Sequence, residues 1–323
     1  MSQLKASSLM AAVVAFAALG AQAEVTATTT TTDAAKTSIK IEDVKADKNK
    51  VEGDIDQEIT NARMRADAGS KSKWSVSGSM NYLGGTLRNP MDKNRANPTN
   101  EPVAERVNLS GDIGIRYRLD KAFSLKAGTG VSLERPFQEA KRGNISNPSL
   151  SLDAAYKTGD IQNSTSLSVT YITNSNERDN GQVAAVGLSQ VAVTDFKGSR
   201  FSLGLAADVI YYTFDKSIPT QQADYILAAY PFAEYAISDM FQIRTVTRPW
   251  IYRHIRAEDQ PFDMAKAPWT QSLGLTIVAS RDVYFYPNFQ WDMEKWRESD
   301  YNLFRDPVVG TTTVGVSGTF SIF

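Results

Sequence analysis

The chain has 323 residues, and its 35 basic and 36 acidic side chains leave a net charge of −1, which gives nucleic acid no electrostatic hold on it. It contains no cysteine, which excludes disulfide frameworks and thiolate chemistry, and its single histidine, His254, leaves only an all-oxygen donor set for any metal. Beyond the first residues no stretch approaches the roughly 18 consecutive apolar residues of a membrane helix, a limit that does not touch membrane barrels, whose alternating pattern averages away.

Residues 1–23 read as a secretory signal peptide. Lys5 is an early cation, an apolar run extends from Leu9 to Leu19, and Ala21 and Ala23 form a small-residue cleavage site. The mature chain is expected to begin at Glu24. Residues 24–41 are a Thr-rich leader with too little apolar surface to order itself. Over 42–70 the composition shifts to charged helix formers. Val51, Ile55, Ile59, Ala62 and Ala66 follow one another at spacings of 4, 4, 3 and 4, one face of a helix that either enters a barrel lumen or stays periplasmic.

From 71 to 323 the period changes to two. Segments alternating apolar with small or polar residues fall near 74–87, 107–119, 122–134, 148–157, 163–173, 183–194, 200–213, 225–237, 240–252, 269–279, 283–294 and 312–323. The clearest is VNLSGDIGIRYRL, where Val107, Leu109, Ile113, Ile115, Tyr117 and Leu119 face one way and Asn108, Ser110, Asp112, Arg116 and Arg118 the other. The connections alternate too. Short ones at 120–121, 158–162, 195–199, 238–239 and 280–282 separate long ones, as an even-stranded barrel with short turns at one end and long loops at the other requires. The expected fold is all-β, an antiparallel up-and-down barrel of about twelve strands preceded by a short helix.

A soluble sandwich would also alternate, but it would press the charged face into a dry core at several kcal/mol per ion. A water-filled lumen removes that cost. The candidate pore lining is therefore Asp112, Arg116, Arg118, Lys126, Asp153, Asp208, Glu234, Arg244, Arg248, Asp282, Asp292 and Glu294. The outward face is expected to carry Phe201, Leu203, Leu205, Ala207, Val209 and Tyr211 on one strand, and Val283, Phe285, Phe289, Trp291 and Met293 on another.

The final segment, TVGVSGTFSIF, sets Val314, Val316, Gly318, Phe320 and Ile322 against small polar residues, as a strand that must close a barrel should. This ending resembles the C-terminal signature of bacterial outer-membrane β-barrel proteins. Phe320, Ile322 and Phe323 carry the likeness, with Phe323 one step out of register. The resemblance implies an outer-membrane location and recognition by the barrel-assembly machinery and periplasmic chaperones, with membrane lipid and lipopolysaccharide as surroundings. A homo-oligomer is left open.

Twelve strands place the lumen between filled eight-strand barrels and open sixteen-strand porins. Barrels of this size include solute-specific channels, an outer-membrane phospholipase, a lipid A deacylase and autotransporter translocators. The phospholipase reading needs a serine two residues after a histidine, and Arg256 stands there. The expectation is a porin-like channel for small hydrophilic solutes or ions, weakly charge-selective because its lining mixes both signs, with no catalytic residue, cofactor or metal. The alternative is a plugged or structural barrel, which resembles an autotransporter translocator in its helix before the first strand. A lipid-modifying enzyme is the lesser alternative.

Overall fold

The structure, a computed structural model, describes residue 56 and residues 59–92, 107–137, 142–215, 223–255, 264–266, 269–302, 304–305, 310 and 312–322. The expected cleavage residues Ala21 and Ala23, the Thr-rich leader, Val51, Ile55 and the final Phe323 lie outside the described residues.

Every alternating segment forms a strand. In chain order they are β1 (Trp74–Thr86), β2 (Asn108–Arg118), β3 (Phe123–Glu134), β4 (Arg142–Thr158), β5 (Ile161–Tyr171), β6 (Gln182–Asp195), β7 (Phe201–Phe214), β8 (Ala223–Ala236), β9 (Phe241–Arg248), β10 (Trp250–Ile255), β11 (Met264–Lys266), β12 (Thr270–Ser280), β13 (Val283–Asp292) and β14 (Thr313–Ile322). β9 and β10 are two halves of one strand, both paired with β8 and parted at Pro249, which has no N–H to give to a ladder. The short β11 is an arm on β10. That leaves twelve strands in a closed antiparallel barrel, each beside its neighbour in sequence.

Closure follows the pattern at the chain's end. β14 pairs with β1, setting Val76 opposite Ile322 and Gly78 opposite Phe320. A Cβ on Gly78 would meet the Phe320 ring at 2.6 Å, so the missing side chain is what lets the aromatic lie across the seam. Outward positions are apolar and exposed, among them Ile113, Ile115, Leu203, Leu205, Val209 and Tyr211. Inward positions of β1 are small and buried, as at Ser75 and Ser77.

Several boundaries differ from the expectation. β4 begins at Arg142 rather than near 148. The 283–294 segment stops being a strand at Asp292, and helix α3 (Met293–Glu298) follows. Met293 and Glu294, expected on the outer and inner faces of a strand, therefore belong to that helix, whose first turn is fixed when Asp292 Oδ1 accepts the Glu294 N–H at 2.8 Å. Trp291 was expected on the outer face but is only 5% exposed, its ring 5.8 Å from that of Trp296 in α3. Two further helices are short: α1 (Ala62–Ala68) precedes β1, and α2 (Ser175–Asp179) lies between β5 and β6.

Candidate functional site

The chain entering β1 occupies the barrel interior at the end that carries the short turns. Asn61 caps α1, its side-chain oxygen accepting the Met64 N–H at 3.1 Å. Gly69 ends the helix at φ +78°, and a Cβ there would lie 1.9 Å from Arg116 Nη1, so both the backbone turn and the arginine need glycine. Arg118 gathers the carbonyls that the helix leaves over, donating to Ser70 at 2.6 Å and to Ala68 and Gly69 at 3.3 Å.

Charge fixes this segment to the wall. Glu234, 2% exposed, accepts hydrogen bonds from Asn61 Nδ2 at 2.8 Å and Arg63 Nε at 3.1 Å, and Arg244 Nε lies 3.2 Å away. Strand register supplies half of this arrangement, because Glu234 on β8 sits directly opposite Arg244 on β9. Both guanidinium groups also approach the Phe232 ring, at 5.0 and 4.9 Å. Burial opposes the charge on Arg63, yet Glu234 and Asp67 outweigh it and hold that side chain above the ordinary arginine range.

A second anchor lies at the turn between β12 and β13. Arg281 donates to Asp56 Oδ1 at 2.7 Å and to the Gly69 carbonyl at 2.7 Å, and Lys71 reaches Asp56 Oδ2 at 2.7 Å. Burial alone would raise the Asp56 carboxyl, but the hydrogen bonds and charges of Arg281 and Lys71 bring it down to about 2. Gln162 on β5 completes the docking, its Oε1 accepting the N–H groups of Thr60 at 2.7 Å and Asn61 at 2.8 Å.

The docked segment has two unlike flanks. Ile59 and Met64, at 0% and 2% exposure, pack on inward-facing Val193, Phe232 and Val246, with Val191, Ala206 and Tyr230 beside them. That flank is dry. On the other side a cavity of about 230 Å³ separates α1 from the wall of β2 to β5. Asp67, Arg116, Arg118, Lys126, Asp153 and a row of serines line it, and it reaches from Ala122 in the β2–β3 turn up to Lys126 and Ser166.

The expected pore-lining residues divide among these surroundings. Arg116, Arg118, Lys126 and Asp153 meet at the cavity, with Arg116 Nη2 3.6 Å from Asp153 Oδ2 and Lys126 paired to Asp112. Glu234 and Arg244 hold the docked segment instead. Asp208 and Arg248 are half-buried on β7 and β9. Asp282 lies in the β12–β13 turn against Arg281 rather than in a strand, and Asp292 and Glu294 are at the far end of β13, away from the cavity. His254 is buried, 2.6 Å from Asp224 Oδ1 and stacked on Tyr225, with ring centroids 4.7 Å apart.

The alternation rule missed the apolar inward residues. A signal was present in the strands that read apolar on both faces, VAV at 191–193 and PFAEY at 231–235, since an inward Val193 or Phe232 needs something greasy inside the barrel to cover it.

No protein-family model and no curated protein sequence matches the chain. Among solved structures, an outer membrane channel from Pseudomonas putida F1 matches with a TM-score of 0.50 at 12% identity, covering 79% of this chain and 98% of that one. The fold is that of the outer-membrane β-barrels. The NanC porin matches this barrel with a TM-score of 0.41 at 9% identity over 77% of this chain and 100% of its own. OmpF of Salmonella typhi matches with a TM-score of 0.36 at 9% identity, over 79% and 99%.

Proposed function

We propose that this barrel sits in a bacterial outer membrane and works as a porin-like channel for passive diffusion of small hydrophilic solutes, with its width set by the segment docked inside it. The observation that supports this reading most is the polar cavity beside α1. Arg116 and Arg118 reach across to the backbone of the docked segment, but Lys126, Asp153 and the serines of β3 to β5 face open space beside it, and a polar, charged surface of that kind has no use in a sealed core. Six of the charged groups there and at the neighbouring Asp112 divide evenly, Arg116, Arg118 and Lys126 against Asp67, Asp112 and Asp153, and so favour weak charge selectivity.

A second reading is a barrel held shut. The docked segment supports it through the Glu234 and Arg281 anchors and the dry contact of Ile59 and Met64. Planar-bilayer recording separates the two. The chain from Glu24, refolded and shown to be inserted, is expected to give small, steady, weakly selective conductance. Silence from inserted protein would overturn the open channel and leave the closed barrel.

A further inference from the structure

We propose that solutes pass along the crevice between the polar flank of α1 and the β2–β5 wall, and that its paired charges form a subsite for small zwitterionic solutes. The proposal rests on the channel reading and adds to it a route and a substrate class.

The route follows from the asymmetry of the docked segment. Towards β6, β8 and β9 its contact is apolar and closed, with Ile59, Met64, Val193, Phe232 and Val246 all under 7% exposed. Such a contact offers a polar solute no partner for the water it must shed. Towards β2 to β5 the same segment faces hydroxyl groups and ions, and the volume there is about 230 Å³. Binding sites for drug-sized ligands begin near roughly 300 Å³, so this space suits a smaller molecule.

The substrate class follows from how the charges are arranged. Two opposite-charge pairs share the β2–β4 wall: Arg116 on β2 with Asp153 on β4, reaching across β3 with nearest atoms 3.6 Å apart, and Lys126 on β3 with Asp112 on β2. The register sets Arg116 directly opposite Lys126, so each cation depends on its own carboxylate to offset the other. Ser166 Oγ donates to Asp153 Oδ1 at 2.6 Å and holds that carboxylate toward the cavity. A simple anion entering here meets Asp153 and Asp67, and a simple cation meets Arg116 and Lys126. Either displaces a partner and leaves one charge of a half-buried pair unmatched. A solute carrying carboxylate and ammonium together can exchange with a pair and leave none unmatched, which is the electrostatic basis for discrimination.

The natural absence of cysteine permits a direct test on the full mature chain reconstituted in liposomes. Flux of alanine would be compared with flux of glycerol, propionate and propylammonium, solutes of similar size. Single-cysteine variants Ser164→Cys, on the crevice, and Ala206→Cys, on the dry flank, would be treated with a charged thiol reagent. Alanine is expected to enter several-fold faster than the other three, and reagent is expected to block flux through Ser164→Cys while leaving Ala206→Cys unchanged. Asp153→Asn, which keeps the shape of the wall, should abolish the alanine advantage and move the reversal potential toward anions. Equal fluxes for all four solutes would overturn the substrate class, and block at Ala206→Cys but not at Ser164→Cys would overturn the route. No flux of any solute from inserted barrel would defeat the channel reading itself, an outcome distinct from either of those.

Discussion

At Glu234 one carboxylate with 2% of its surface exposed serves Asn61, Arg63 and Arg244 together. Removing a member of a buried ion group leaves the others desolvated without compensation, at about 3–5 kcal/mol, which is enough to release a short segment from its seat. Glu234→Ala is therefore expected to undock α1, seen as new trypsin cleavage after Arg63 or Arg65 and as a larger conductance. Protection equal to that of the parent would show that the anchor is not needed. Asp56 gives a pH-dependent counterpart. Its carboxyl is lowered from 3.8 to about 2 in the folded chain, so its contribution to docking is fully present above the unfolded value and is lost as pH falls through about 2. Conductance should then hold level from neutrality to about pH 4 and rise below it as the Arg281 contact fails, whereas Asp56→Asn should remove that low-pH rise.

The strands show how far a sequence pattern reaches. On β2 the alternation alone orients Ile113 outward and Asp112 inward, and both lie so. In a membrane this makes an unequal pair of substitutions: Ile113→Arg should cost about 2–4 kcal/mol in reversible unfolding from lipid, and Ser110→Arg, on the polar face, far less. Equal costs would mean that the outer face does not meet hydrocarbon. Closure by Val76 against Ile322 was legible for the same reason, since an apolar strand at the end of a barrel has only the first strand left to pair with. What the pattern hid lies where local chemistry overrides alternation. Pro249 parts one strand into β9 and β10, and Asp292 starts a helix by capping it, so Glu294 never reaches the inner face. Of the helical face expected over 42–70, the described residues keep only Ala62 and Ala66 on one helix, because Asn61 caps that helix and leaves Ile59 outside it. That Asn61 and Arg63 would find Glu234 depends on a contact between residues 171 positions apart or more, which no local spacing encodes.

Taken as a whole, the barrel answers two conflicting requirements with one segment. A wall of twelve strands encloses more space than its own side chains fill, so an inward Val193, Phe232 or Val246 would stand in water unless something covered it. Ile59 and Met64 cover those residues, and full burial of one such side chain stabilises by about 1.5–3 kcal/mol. The segment that narrows the lumen is thus also part of the barrel's core. Deleting residues 24–70 should show both effects together: conductance rises because the obstruction is gone, and the unfolding temperature falls because the apolar patch and the carboxylate of Glu234 are left facing water. A tether that merely hangs beneath the barrel would move neither quantity. A pure plug, with no share in the core, would raise conductance at unchanged stability, and recording both on the same preparation tells the three arrangements apart.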